Sequence, residues 1–176
     1  MPVYAYQGGQ AINTTSTPIK KVVHINEHKQ GMIHATKINR KQMYVPDNNP
    51  QKPFEYYTSI TNQSTTNYKL LHGNNVEFNS DGTISIGGYI AVAMGQSYGK
   101  PGDRFQITLS SGKTMSVIMT DAKQPYDTLN NDGWQGKNKH ILEMVVWSAS
   151  DSARGNLCFG GLNEYKGTVT SIYKET

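Results

Sequence analysis

Through the second half of the chain, hydrophobic and polar positions alternate with a period of two. In Arg104-Phe105-Gln106-Ile107-Thr108-Leu109, the residues Phe105, Ile107 and Leu109 share one face, as expected of a half-buried strand. Ser110-Ser111-Gly112-Lys113 then makes a tight turn, with Gly112 where a positive φ is needed. Met115, Val117 and Met119 alternate inward on the return strand, and Asp121 follows just past its end. Thr83-Ile84-Ser85-Ile86 alternates in the same way. Tyr89 to Met94 is nearly continuous in apolar residues, which predicts a strand buried on both faces. Ile141–Trp147 and Gly167–Tyr173 complete the set, and residues 122–139 form a long polar loop with Pro125, Gly133 and Gly136. No helix longer than two or three turns is expected here. Short, evenly spaced strands divided by turn residues predict a mainly β fold, a small six-stranded closed barrel.

The first half is less regular. Residues 1–20 are polar and read as an arm or a loose first strand. Lys21–Ile25 and Met32–Thr36 flank Gly31 and suggest a hairpin. Residues 46–53 contain Pro46, Pro50 and Pro53 among Asn and Asp, a linker that no strand or helix can cross. The expected division is therefore an arm and linker over 1–53 and a barrel domain over 54–176. Phe54–Ile60 reads as a strand, Thr61–Asn67 as a polar bridge, and Tyr68–Leu71 opens an ordered stretch.

Composition narrows the function. The chain of 176 residues is only 36% hydrophobic, but charged residues are only 17%. Its polarity comes from Asn, Gln, Ser, Thr, Gly and eleven Tyr, which is not the high-charge signature of disorder. It suits a β-rich protein working outside the cytoplasm or on a carbohydrate. The net charge is +4, yet Lys/Arg blocks stop at the pairs Lys20-Lys21 and Arg40-Lys41. Without an aromatic–basic motif, no nucleic-acid partner is expected. The single Cys158 excludes an internal disulfide framework. No apolar run is long enough for a membrane span, and Met1–Tyr6 lacks the basic and apolar regions of a signal peptide. His24-Ile25-Asn26-Glu27-His28 spells H-x-x-E-H, but Val22, Val23 and Ile25 favour a strand, in which the two histidines diverge. Neither a metal nor a cofactor is expected.

Candidate chemistry gathers around acidic residues. Asp121 stands where a strand runs out, with Asp127 and Asp132 in the loop beyond. Glu143 interrupts an apolar strand and shares a face with Ile141, Val145 and Trp147, so desolvation is expected to raise its pKa. The alternative is that Glu143 pairs with Lys123 or Arg104 and closes the barrel. Acidic groups facing a groove, some raised and some not, are what glycosidic-bond cleavage requires.

Tyr89 to Met94, Pro101-Gly102-Asp103-Arg104-Phe105, Val117-Ile118-Met119-Thr120-Asp121 and His140-Ile141-Leu142-Glu143-Met144-Val145 occur in that order. Over about residues 60–175 this order resembles the 3D (three-aspartate) domain. That domain is a double-psi β-barrel of lytic transglycosylases and cell-wall-remodelling proteins. The stretch is also similar to barrel modules of Gram-positive bacteria and their phages. The pattern's first aspartate is replaced by Ala93-Met94, and its last by Glu143. The resemblance implies a peptidoglycan-acting protein, extracellular, wall- or virion-associated. Asp121 would be acid and then base in forming a 1,6-anhydro product, with Glu143 and Asp127 as electrostatic support. Tyr89, Tyr98 and Tyr126 are candidate sugar-stacking residues, and Lys123 and His140 candidate substrate contacts. The alternative is a non-catalytic barrel that binds glycan or another subunit, with the N-terminal arm docking on a partner or a second copy.

Overall fold

The mainly β expectation is met by a computed structural model that describes residues 38–50, 52–148, 165 and 167–176. The described residues fall in one unit, Lys37–Thr176. The strands are β1 (Arg40–Gln42), β2 (Phe54–Tyr56), β3 (Val76–Phe78), β4 (Ile84–Ile86), β5 (Tyr89–Gly95), β6 (Arg104–Leu109), β7 (Thr114–Lys123), β8 (Leu142–Val146) and β9 (Val169–Glu175). They form one mixed sheet along the path β1-β9-β6-β7-β5-β4-β3, with β8 added to β5 and β2 added to β8. Among the described residues these pairings leave the sheet open. The hairpin read over residues 21–36, the H-x-x-E-H stretch and Cys158 lie outside the described residues.

β5 is the hub. Along one edge it pairs in parallel with β7. The other edge is shared, with β4 opposite Tyr89 and Ile90 and β8 opposite Val92 to Met94. Its continuous apolar run is explained by burial on both faces. Val92 and Met94 join a large cluster with Phe105, Ile107, Val117 and Met144. Ala91 and Ala93 face a smaller one with Leu71, Ile84 and Val145. The alternation in β6 and β7 matches the observed hairpin, with Ile107 opposite Met115 and Gly112 at φ 84 in the turn.

The smaller cluster is covered by α1 (Thr66–Leu71). Thr65 caps it, its side chain accepting from the Tyr68 amide, and Leu71 is buried. The residues read as linker are tied to the sheet. β1 pairs with β9, and buried Asn49 donates to the carbonyls of Pro46 and Val169 and accepts from the Val169 amide at 2.6 Å. This satisfies the Pro46 carbonyl and both backbone groups of Val169 at the start of β9. No helix among the described residues is long and apolar enough to cross a membrane.

Gly95 ends β5 beneath a crossing loop. A Cβ there would lie 1.9 Å from the carbonyl oxygen of Gly133. Backbone cannot yield as a flexible side chain can, so Gly95→Ala is expected to cost about 1–3 kcal/mol. A thermal melt checks this, and an unchanged midpoint would mean the loop does not cross there.

Candidate functional site

Asp121 is not past the end of its strand, as the sequence suggests. It lies inside β7, which runs on to Lys123. Met119 points into the large core, and in a regular strand Asp121 would do the same. A bulge prevents this. Val92 is opposite Met119, but the next residue, Ala93, is opposite Asp121, so Thr120 is the extra residue. The buried Thr120 hydroxyl donates to the Val92 carbonyl at 3.3 Å and secures the kink. The bulge turns Asp121 onto the face of Ala93, under α1, where it accepts a hydrogen bond from the side chain of Asn67.

That face carries the other acids. Glu143 pairs with Ala93 across β5 and β8, which sets Asp121, Ala93 and Glu143 in a row with the smallest side chain in the middle. Lys123 extends the row and reaches Glu143, Nζ to Oε2 at 2.7 Å. His140 Nε2 stands 3.1 Å from the other carboxylate oxygen, close enough to pair with it but not aligned for a directed hydrogen bond. The imidazole is seated against Gly136, where a Cβ would lie 2.0 Å from its ring.

These contacts reverse the expectation for Glu143. Burial alone would raise its pKa, but His140 and Lys123 outweigh burial and hold it below its ordinary value. Burial would likewise lower Lys123, and Glu143 holds it above the usual lysine range. The pairing of Glu143 with Lys123 is observed, while Arg104 instead lies over the Tyr89 ring, 4.6 Å from its centroid.

The carboxyl with raised pKa is Glu55, a residue the sequence did not single out. β2 runs parallel to β8 with Glu55 beside Val145, which delivers it to the same face. Ser59 donates to its Oε1 at 2.8 Å. Its Oε2 is buried and has no hydrogen-bond partner among the described residues. Burial, followed by the negative charges of Asp121 and Glu143, raises its pKa, against the opposing pull of Ser59 and Lys123. The Pro/Asn linker just before it and the span of chain between β2 and β8 hide this placement from sequence patterns.

The signs give a test. Glu55, with its folded pKa raised, contributes stability below its ordinary value of 4.5, and that is lost as pH rises through the folded value. At pH 7 its charge is a cost, so Glu55→Gln is expected to match or exceed the wild-type melting temperature there. Glu143, with its pKa lowered, contributes above 4.5 and loses that contribution as pH falls. Glu143→Gln is expected to melt lower at pH 7, with the deficit closing toward pH 3. Melting curves across pH 3–8 check both, and a destabilised Glu55→Gln at pH 7 would contradict the assignment.

The remaining candidates lie apart. The Tyr89 hydroxyl donates to Glu175 at 3.1 Å, at the opposite end of β5 from Asp121. Tyr98 is 1% exposed, its ring edge-on to Trp134 at 4.8 Å. Burial raises its hydroxyl pKa, and the ring fills the core instead of offering a stacking surface. Tyr126, 65% exposed, and exposed Asp127 occupy the turn Pro125–Asp127 beyond β7. Among the described residues no group of three His, Cys, Asp or Glu side chains is placed to hold a metal ion. No protein-family model, curated protein or solved structure matches the chain.

Proposed function

We propose that the protein acts on the glycan of a cell wall, with Asp121 as the acid/base group of a lytic-transglycosylase-like cleavage. The observation that carries this reading is one face that gathers three carboxyl groups, two of which, Glu55 and Glu143, are held at unequal proton affinity. Glu55 is pushed up and Glu143 is held down, with Asp121 on the same face. Acid/base chemistry at a glycosidic bond needs such a difference between neighbouring carboxyls. The bulge that turns Asp121 out of the core supports the same reading, because bulges gather beside active sites, where they re-aim a side chain.

In this reaction the Asp121 carboxyl protonates the glycosidic oxygen and the C1–O bond breaks with oxocarbenium character. The carboxylate then takes the proton of the sugar's own 6-hydroxyl, whose oxygen bonds to C1. The product is a 1,6-anhydro sugar, and no water is consumed. Lys123 and His140 keep Glu143 ionised beside the developing positive charge. The parallel β5–β7 pair, with β6 joined to the far edge of β7, supports a double-psi arrangement of the three-aspartate kind within the sheet.

One observation favours the non-catalytic alternative. Glu143 is fully engaged by Lys123 and His140, which suits a strut across β7 and β8 as well as a reactive group. Incubation with purified peptidoglycan sacculi and mass spectrometry of the soluble products separates the two. Anhydro-muropeptides are expected. Co-sedimentation with sacculi without product release would leave a wall-binding module, and neither outcome would remove the wall from the reading.

A further inference from the structure

One residue of α1 holds the Asp121 carboxyl from the helix side. Asn67, in the first turn, donates from its side-chain amide to Asp121 Oδ1. Asn67 and Leu71 are four residues apart, so they share a face of the helix. Leu71 is buried and anchors that face in the smaller cluster. Asn67 is therefore a polar residue at a sheet-facing position, where an apolar side chain would add to the same cluster. The helix has other anchors besides this bond. Leu71 holds its last turn, the Thr65 side chain accepts from the Tyr68 amide at 3.2 Å, and the Thr65 hydroxyl donates to the Asn62 carbonyl at 2.7 Å. On the sheet side, the bulge at Thr120 fixes the backbone of Asp121. Among the described residues no hydrogen bond reaches the other carboxyl oxygen, Oδ2, and Asp121 keeps partial exposure.

We infer that Asn67 is the positioning residue of Asp121, and that Asp121 Oδ2 is the oxygen that gives and takes the proton. This role rests on the proposed glycan cleavage. The carbonyl oxygen of a neutral carboxyl accepts from an amide as a carboxylate oxygen does, so the Asn67 bond to Oδ1 holds in both protonation states. With Oδ1 occupied, the proton given to the glycosidic oxygen leaves Oδ2, and the proton of the 6-hydroxyl arrives there. The amide also stops the carboxyl from turning. A reacting group misplaced by about 1 Å can lose about 100-fold in rate, so a fixed carboxyl is worth a polar residue on the inner face of α1. A carboxylate at position 67 would do the opposite, offering no donor and repelling Asp121.

Kinetics of the full chain on soluble, un-cross-linked peptidoglycan strands test the role, with a melting curve for every variant. Asn67→Ala is expected to lower kcat about 10- to 100-fold while KM stays within about twofold. Asn67→Gln, which keeps the amide, is expected to stay within about fivefold of wild type. Asn67→Asp should be at least as slow as Asn67→Ala. The double variant reads the coupling directly. Because Asn67 acts through Asp121, adding Asn67→Ala to Asp121→Asn is expected to cost less than about a further twofold. A further loss in that background as large as in wild type would overturn the role. So would a raised KM with unchanged kcat in Asn67→Ala, the mark of a substrate contact. A kcat that falls only in step with melting temperature across the three Asn67 variants would assign the bond to holding the helix, and overturn it too. Release by wild type with kcat untouched in Asn67→Ala would remove the positioning role alone. No release by wild type would remove the reaction, and the role with it.

Discussion

Asp121→Asn is expected to lower the release of soluble muropeptides from sacculi by about 10²- to 10⁴-fold, the usual contribution of a positioned acid/base group. The substitution keeps shape and keeps an oxygen that accepts from Asn67. It removes only the proton that a carboxyl can carry and return. The melting temperature should therefore hardly move, and loss of activity without loss of stability is the signature to look for. Time courses by mass spectrometry, with melts of both proteins, provide the check. Equal release by both proteins would take the proton transfer away from Asp121 and pass it to Glu55, the group on this face with raised pKa.

Sequence patterns reach some of these residues and stop short of others for physical reasons. The alternation in Arg104–Leu109 and Met115–Met119 predicts β6 and β7, because each strand buries one face and the turn between them is local. The same reasoning puts Glu143 on the face of Val145, as observed, but Ile141, expected on that face, packs into the large cluster with Leu142 and Met144. The placement of Asp121 is less legible. Its face depends on Thr120 being extra against β5, a register set by pairing between strands and invisible in the alternation of β7 alone. The direction of the Glu143 shift is open in the sequence, where burial and pairing with Lys123 pull oppositely, because the cation comes from β7 and the second partner from the loop end at His140. Glu55 is harder still: the strand expected over Phe54–Ile60 stops at Tyr56, where Tyr57–Ser59 forms a 3-10 turn, and three residues are too few to show a period. Tyr98 shows the limit of reasoning from residue type, since an amphipathic ring suited to a sugar also suits a core.

Lys123→Met is expected to lower stability at pH 7 by about 3 kcal/mol, the low end for breaking a buried pair by removing one partner. The low end applies because both side chains keep slight exposure, 19% for Lys123 and 14% for Glu143. For a chain of this size, that amounts to a fall of about 6–12 °C in melting temperature. The methionine replaces most of the aliphatic stem, so what is lost is mainly charge. Glu143 is then left with His140 alone, on a face it shares with Asp121 and Glu55. The two shifts set the pH window. Glu143 contributes above 4.5 and loses its contribution as pH falls through its lowered value. Lys123 contributes fully below 10.5 and loses its contribution as pH rises through its raised value. The deficit of the variant should thus be broad and flat across neutral pH and close on the acid side, as Glu143 takes up a proton. Adding Glu143→Gln should recover most of the loss at pH 7, because a neutral amide needs no cation. Melting curves of wild type, the single variants and the double variant between pH 3 and 8 decide it. A deficit that persists unchanged at pH 3, or is not recovered in the double variant, would assign the stabilisation to packing of the lysine stem and not to the ion pair.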